Sequence, residues 1–286
     1  MTNTAMSTPF AEGDFRVGRV ISQSASVLTG NFPTLFIIGV IAYLPIQLAA
    51  LWFTGLTRGG ATLPPGTSTT QIVVAAFVFI FVMIVFSLFA QAVILHAAFQ
   101  NMRNQPANIF ESLKVGLRRF FPLLLLGIVM ALLMLVVFAA LSIASGLVVV
   151  FSGNTAYSIA ATILAVVVGF VIVAILYTMW FVAVAACVVE RTGPFGSMGR
   201  SGRLTKGHRW RIFGLILLLF LVSTVVSILI ELVLRPVGGT IVTFLVTVAW
   251  TAVWGAYYAV SVAVTYHDLR VAKEGIDIEQ IVAVFD

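Results

Sequence analysis

Runs of mostly apolar residues, uncharged but for Glu231 and as long as a helix needs to cross a bilayer, recur six times along this chain, at about 34–53, 72–97, 122–150, 158–189, 214–234 and 240–265. A helix rises about 1.5 Å per residue, so roughly 20 residues traverse the hydrocarbon core. Alternating strands of about ten residues separated by turns are absent, which excludes an outer-membrane barrel. With 61% hydrophobic and 9% charged residues and a mean hydropathy of +1.13, the chain carries more apolar surface than a water-soluble fold can bury. The expected fold class is all-α: a polytopic membrane protein of six transmembrane helices.

The basic residues orient these runs. Residues 194–213, PFGSMGRSGRLTKGHRWRIF, place Arg200, Arg203, Lys206, Arg209 and Arg211 just ahead of the fifth run. Such a cluster beside an apolar segment marks the cytoplasmic edge of a bilayer. With successive connections assigned to opposite sides, Arg16, Arg19, Arg103, Lys114, Arg118, Arg119, Arg191, Arg270 and Lys273 join those five, so 14 of the 16 Lys and Arg share one side. Arg58 and Arg235 fall on the other. The pattern predicts both termini in the cytoplasm. The net charge of +6 lies in patches beside the spans, which points to anionic lipid headgroups as partners and away from nucleic acid.

The connecting segments carry their own signals. Residues 1–13 lack the basic start, apolar core and small-residue cleavage site of a secretory signal and read as a short disordered cytoplasmic lead. Over 14–31, Val17, Val20, Ile21 and Leu28 recur at helical spacing among Arg16, Arg19, Gln23 and Ser24, the pattern of a helix lying in the interface. A second interfacial helix is predicted from Asn108, with Glu111 at capping-box spacing. Its apolar stripe is Phe110, Leu113, Leu117 and Phe121, and Lys114, Arg118 and Arg119 face the headgroups. The Gly, Pro and Thr-rich connection around Arg58, the FSGNT hinge and a turn at Arg235, Pro236, Gly238 and Gly239 lie on the outer side. The membrane domain is predicted over 14–266, followed by a cytoplasmic tail, 267–286, with a short helix capped by Asp277.

An internal repeat is visible in this layout. Each pair of spans follows an amphipathic or basic approach segment, and Phe32, Phe121 and Trp210 stand 89 residues apart (121 − 32 and 210 − 121). The first two copies share Leu28-x-x-x-Phe32-Pro33 and Leu117-x-x-x-Phe121-Pro122, with proline where a helix's first turn has no N–H partner to lose. In the third copy Arg211 replaces the proline. The reading is three units, about 14–100, 101–190 and 191–266, each an interfacial helix plus a helical hairpin around a common axis; regular loops in a six-span chain are the alternative.

Groups able to do chemistry are scarce. Gln47 and Gln91, on the two helices of the first hairpin, are the intramembrane pair that could form a polar pocket. Glu231 is the only carboxylate inside a predicted span, and Arg235 four residues on makes a helical ion pair the simpler reading than a proton or ion site. Thr205-Lys206-Gly207 lacks the spacing of a phosphate-binding loop. His208 stands beside Arg209 with no acidic residue close to it in sequence, and His96 and His267 are each a lone histidine in sequence near an inner helix end. The single cysteine, Cys187, has no Cys or His at metal-ligand spacing and reads as a small apolar residue. No catalytic residue, metal ligand or cofactor site is expected.

The stretch Arg200-Ser201-Gly202-Arg203-Leu204-Thr205-Lys206-Gly207-His208-Arg209-Trp210-Arg211-Ile212-Phe213-Gly214, with the ending Tyr266-His267-Asp268-Leu269-Arg270-Val271-Ala272-Lys273-Glu274-Gly275, resembles the bacterial proteins described as glycerophosphoryl diester phosphodiesterase membrane domains. The resemblance spans residues 14–286. It implies a membrane module named for its fusion, in some proteins, to a phosphodiesterase domain. This chain has no such soluble domain, no His-Arg-Gly start and no clustered Glu and Asp metal ligands, so no catalytic residue carries over.

The expectation from sequence is a non-catalytic protein of the bacterial inner membrane, interacting with lipids or serving as a scaffold for a second membrane protein. Its headgroup-contacting candidates are Arg118, Arg119, Arg200, Arg203, Lys206, His208, Arg209 and Arg211. The alternative is a transporter or flippase of a lipid-like or small hydrophobic substrate, and the remote one is a membrane-embedded phospholipid hydrolase.

Overall fold

The computed structural model describes residues 15–57, 69–102 and 108–274, all of them in helices or the short links between helices. Their order is α1 (Val17–Gly30), α2 (Phe32–Thr57), α3 (Thr69–Met102), α4 (Ile109–Arg118), α5 (Phe120–Ser152), α6 (Thr155–Trp180), α7 (Ala183–Glu190), α8 (Gly193–Thr205) and α9 (Arg209–Glu274). The 1–13 lead, the connection around Arg58, Arg103 and the helix expected from Asp277 lie outside the described residues, as do the side chains of Trp52 and Arg235.

Among the described residues, six segments are long and apolar enough to cross a membrane: Phe32–Ala50, Val78–Met102, Phe120–Ser152, Thr155–Glu190, Arg209–Leu234 and Ile241–Glu274. The chain is a multi-pass integral membrane protein of all-α fold. The last two segments are the arms of α9, which reverses at Gly239, where φ is 65°. A side chain there would be strained, so glycine is required. Trp250 Nε1 donates to Ser227 Oγ across the two arms at 3.2 Å, which fixes them side by side.

Local chemistry explains several of the helix ends. Asn108 accepts at its side chain from the backbone N–H of Phe110 and Glu111, at 3.0 and 3.4 Å, and so starts α4. The reciprocal arm of the capping box runs through α3: Gln100 accepts from the Asn108 backbone N–H at 3.0 Å and donates to Glu111 Oε2 at 2.9 Å. Gly153, at φ 59°, ends α5, and Asn154 caps α6 through the Ala156 N–H at 2.8 Å. Two expectations need correction. The fourth span is not one helix, because it breaks at Phe181 and Val182 between α6 and α7. The domain does not end at 266 either: α9 continues to Glu274, and His267, Asp268, Leu269 and Arg270 are buried.

Three short helices, α1, α4 and α8, each ahead of a hairpin, gather at one end of the bundle, and they pack in a cyclic order. α1 lies on the end of α9, α4 on the end of α3, and α8 on α7 and the ends of α5 and α6. Each precedes one hairpin and packs chiefly against the hairpin before it, the first against the last. At the centre of this end every residue of α7 from Ala183 to Val189 is buried. It packs in one cluster with Ala97 and Ala98 of α3 and Ala259 and Ala263 of α9, small side chains that let helices approach closely. A close backbone approach joins α2 to α9, where a Cβ on Gly39 would meet the Ala252 carbonyl oxygen at 2.7 Å. Away from this end, α5, α6 and the α9 arms turn Leu, Val, Ile and Phe outward, Val136 and Phe170 among them. A membrane protein exposes such a surface to hydrocarbon.

Candidate functional site

Thirteen of the fourteen cations assigned to one side by sequence fall within the described residues, and α1, α4, α8 and the helix ends they touch carry all of them. The structure divides them into two kinds, those consumed by internal pairs and those left at the surface.

The internal group surrounds Glu190 at the end of α7. Arg200 Nε, on α8, donates to both Glu190 carboxylate oxygens at 2.8 and 2.9 Å, and its guanidinium also pairs with Glu274 at the end of α9. Tyr266 Oη donates to Glu190 Oε1 at 2.7 Å. Arg270 Nε donates to Glu274 Oε2 at 3.1 Å, and its guanidinium lies 5.8 Å from the centre of the Tyr266 ring. Burial alone would lower the Arg200 guanidinium, but the hydrogen bonds it donates to Glu274 and Glu190 outweigh it and hold the group above its ordinary value. The cluster therefore joins α7, α8 and α9 at their ends. A parallel pair ties down α1, where Arg19 Nε donates to Asp268 Oδ2 at 3.2 Å. Ser201 adds a neutral link, donating to the Met179 carbonyl at 2.8 Å beside the α6 break.

The residues proposed for headgroup contact separate accordingly. Arg200 turns inward and is spent on Glu190 and Glu274. Arg211 Nη1 donates to the Phe15 carbonyl at 3.0 Å, and the His208 ring stands 5.9 Å from the Phe15 ring. Among the described residues, Arg118, Arg119, Arg203, Lys206 and Arg209 form no ion pair, and neither do Lys114 and Arg191. Arg119, Arg191 and Arg118 stand close enough that partial burial together with this like charge lowers the Arg119 guanidinium. On α4 the exposed surface divides as the sequence predicted: Phe110, Leu113 and Leu117 form one exposed stripe, Lys114 and Arg118 sit beside it, and Ser112 and Gly116 are buried against α3.

The intramembrane candidates do not converge. Gln47 Nε2 donates to Thr251 Oγ1 of α9 at 2.6 Å and thus turns away from Gln91, which lies half-buried on α3. Glu231 is exposed on the outgoing arm of α9, and its relation to Arg235 lies outside the described side chains. Cys187 is buried in α7. Among the described residues no three metal-ligating side chains come together.

The sequence family described as Domain of unknown function (DUF7847) matches residues 15–269. The chain belongs to this family. No curated protein and no solved structure matches it. The DUF7847 match takes in Phe15, Arg19, Glu190, Arg200, Tyr266 and Asp268, so most of the polar residues that lock the charged end fall inside it.

Sequence reasoning missed the Glu190 cluster. Glu190 and Arg191 read as markers of a helix end, and the ending from Tyr266 to Glu274 as a tail. The available signal was that residues 200–214 and 266–275 are both rich in charged and polar residues. They meet in the structure, through Arg200 with Glu274 and through Lys273 Nζ with the Arg203 carbonyl.

Proposed function

We propose that this is a non-catalytic inner-membrane protein whose charged end faces the cytoplasm and engages anionic phospholipid headgroups. The observation that carries the reading is a set of cations that form no ion pair among the described residues after the internal carboxylates are used: Lys114, Arg118, Arg119, Arg191, Arg203, Lys206 and Arg209. Each cation close to an anionic bilayer surface contributes about 1 kcal/mol at best, so the lipid contact is collective. The positive-inside pattern supports a cytoplasmic position for this end and for both termini.

The cyclic packing of α1, α4 and α8 supports three repeated units around one axis. So does a shared detail: Glu111 and Arg200, 89 residues apart, both bond the end of the preceding hairpin, at Gln100 and Glu190. The same reading carries the kinship with glycerophosphoryl diester phosphodiesterase membrane domains, which rests on the two quoted stretches. A flippase would need a polar route along the axis. Buried small and aliphatic residues of α7 fill the centre of the charged end, which favours the lipid-organising role over transport.

The test is retention of phosphatidylglycerol by purified protein, measured by native mass spectrometry. Lys114, Arg118, Arg119 and Arg191 together replaced by Gln should lower retention about tenfold or more, since a few such contacts sum to well over 1.4 kcal/mol. Arg235→Gln, at the other end, should leave it unchanged. Normal retention in the fourfold variant with normal insertion would leave these cations a topological role only.

A further inference from the structure

A cleft opens between α2, α3 and α4 near the charged end. It encloses about 80 Å³, and the described residues that line it are apolar, Ile41, Ala42 and Pro45 of α2, Phe86 and Phe89 of α3 and Leu113 of α4 among them. The helical spacing of Ile38, Ala42 and Pro45, and of Phe86, Phe89 and Val93, shows one face of each span turned into it. α4 closes the end nearest the cations. Three of the lining residues, Ile41, Phe86 and Leu113, are 53%, 40% and 39% exposed, so the cleft is open sideways along a surface that spans the bilayer.

We propose that this cleft holds a segment of one acyl chain of an anionic phospholipid, whose headgroup rests on Lys114 and Arg118. The inference depends on the lipid-interacting reading above and adds to it a defined site. Among the described residues the lining offers no polar side chain to a polar ligand, and a polar molecule there would lose its hydrogen bonds to water without replacement. A hydrocarbon chain loses nothing on entry, because it arrives from hydrocarbon. The volume suits a short segment of chain rather than a whole lipid. Charge fixes the lipid class: Lys114 follows Leu113 directly, Arg118 lies one turn further on, both are exposed, and neither forms an ion pair among the described residues. Long basic side chains beside an apolar stripe reach up to the headgroup level while their stems stay in the apolar layer. Pro45 and Ala42 keep the α2 wall low, and Gly116 lets α4 lie close on Val93 and Phe89 of α3.

The experiment uses the full-length protein, delipidated in detergent and titrated with dioleoyl phosphatidylglycerol, followed by native mass spectrometry. Ile41→Trp and Leu113→Trp each plug the opening from a different wall, at positions exposed enough to accept the ring without disturbing the core. Each should weaken binding about tenfold, because the ring takes the space of the chain and removes its packing contacts with the walls. The double variant K114Q/R118Q should reduce phosphatidylglycerol to the level of dioleoyl phosphatidylcholine, which has the same chains and no net charge. Wild-type binding by both tryptophan variants would overturn the cleft assignment and leave the lipid reading standing. So would competition by glycerol phosphate, a headgroup without chains, as effective as that of the whole lipid. If the tryptophan variants, K114Q/R118Q and the fourfold cation variant all bind as wild type, both readings fall. Unchanged melting temperatures exclude misfolding as the cause of a loss.

Discussion

Arg200 and Glu190 face one another across the junction of α8 and α7, with Arg200 Nε at 2.8 and 2.9 Å from the two carboxylate oxygens. Both side chains are under one-fifth exposed. Because Tyr266, Arg270 and Glu274 share the cluster, this pair is the point where the last hairpin is fastened to the one before it.

Removing one partner leaves the other charge partly buried and unmatched. Glu190→Gln should therefore destabilise the protein by about 2–3 kcal/mol, toward the low end for a broken buried pair because some water reaches it. Thermal unfolding in detergent measures this. The double variant Glu190→Gln/Arg200→Gln should be less destabilised than the sum of the single variants, and strict additivity would mean the two do not interact.

Gly39 and Gly127 should respond differently to a methyl group. At Gly39 the added carbon meets the backbone of Ala252, which cannot rotate away, whereas at Gly127 it meets the mobile end of Leu88. Gly39→Ala should cost about 1–3 kcal/mol, and Gly127→Ala clearly less. The order of their melting temperatures decides it.

The cap of α4 predicts a local effect. Asn108→Ala removes the acceptor for two backbone N–H groups and should cost about 1 kcal/mol. Hydrogen exchange should rise in 109–118 and stay unchanged in α8.

Gln47→Leu tests whether the intramembrane polar groups do more than pack. Its bond to Thr251 joins α2 to α9, and such bonds contribute roughly 0.6–2 kcal/mol. The variant should lose no more than that and should retain phosphatidylglycerol as the wild type does; a selective loss of lipid would make Gln47 part of a binding site.

The fold was legible where its causes are local. Hydropathy sets the six spans, lysine and arginine set their common side, and Asn108 marks the start of α4 because its side chain bonds only two and three residues ahead. Glycine at 239 announces the reversal of α9 for the same reason. The break at Phe181 and Val182 was not legible, since neither proline nor glycine stands there. It comes with the packing of α7 into the core and with Ser201, 22 residues on, reaching the Met179 carbonyl. The charged end was only half legible. Hydropathy and charge mark Arg200 and Arg203 as equals, and only the positions of Glu190, 10 residues before Arg200, and Glu274, 74 after it, make the first a structural group and leave the second at the surface.

The most direct test is the sidedness of two of the unpaired cations. In a Cys187→Ala background, Lys114→Cys and Lys206→Cys should both resist an impermeant thiol reagent in intact spheroplasts and both react in inside-out vesicles. Reaction of the two from opposite faces, or of both from the periplasmic face, would contradict a single cytoplasmic charged end, and the lipid contact proposed there with it.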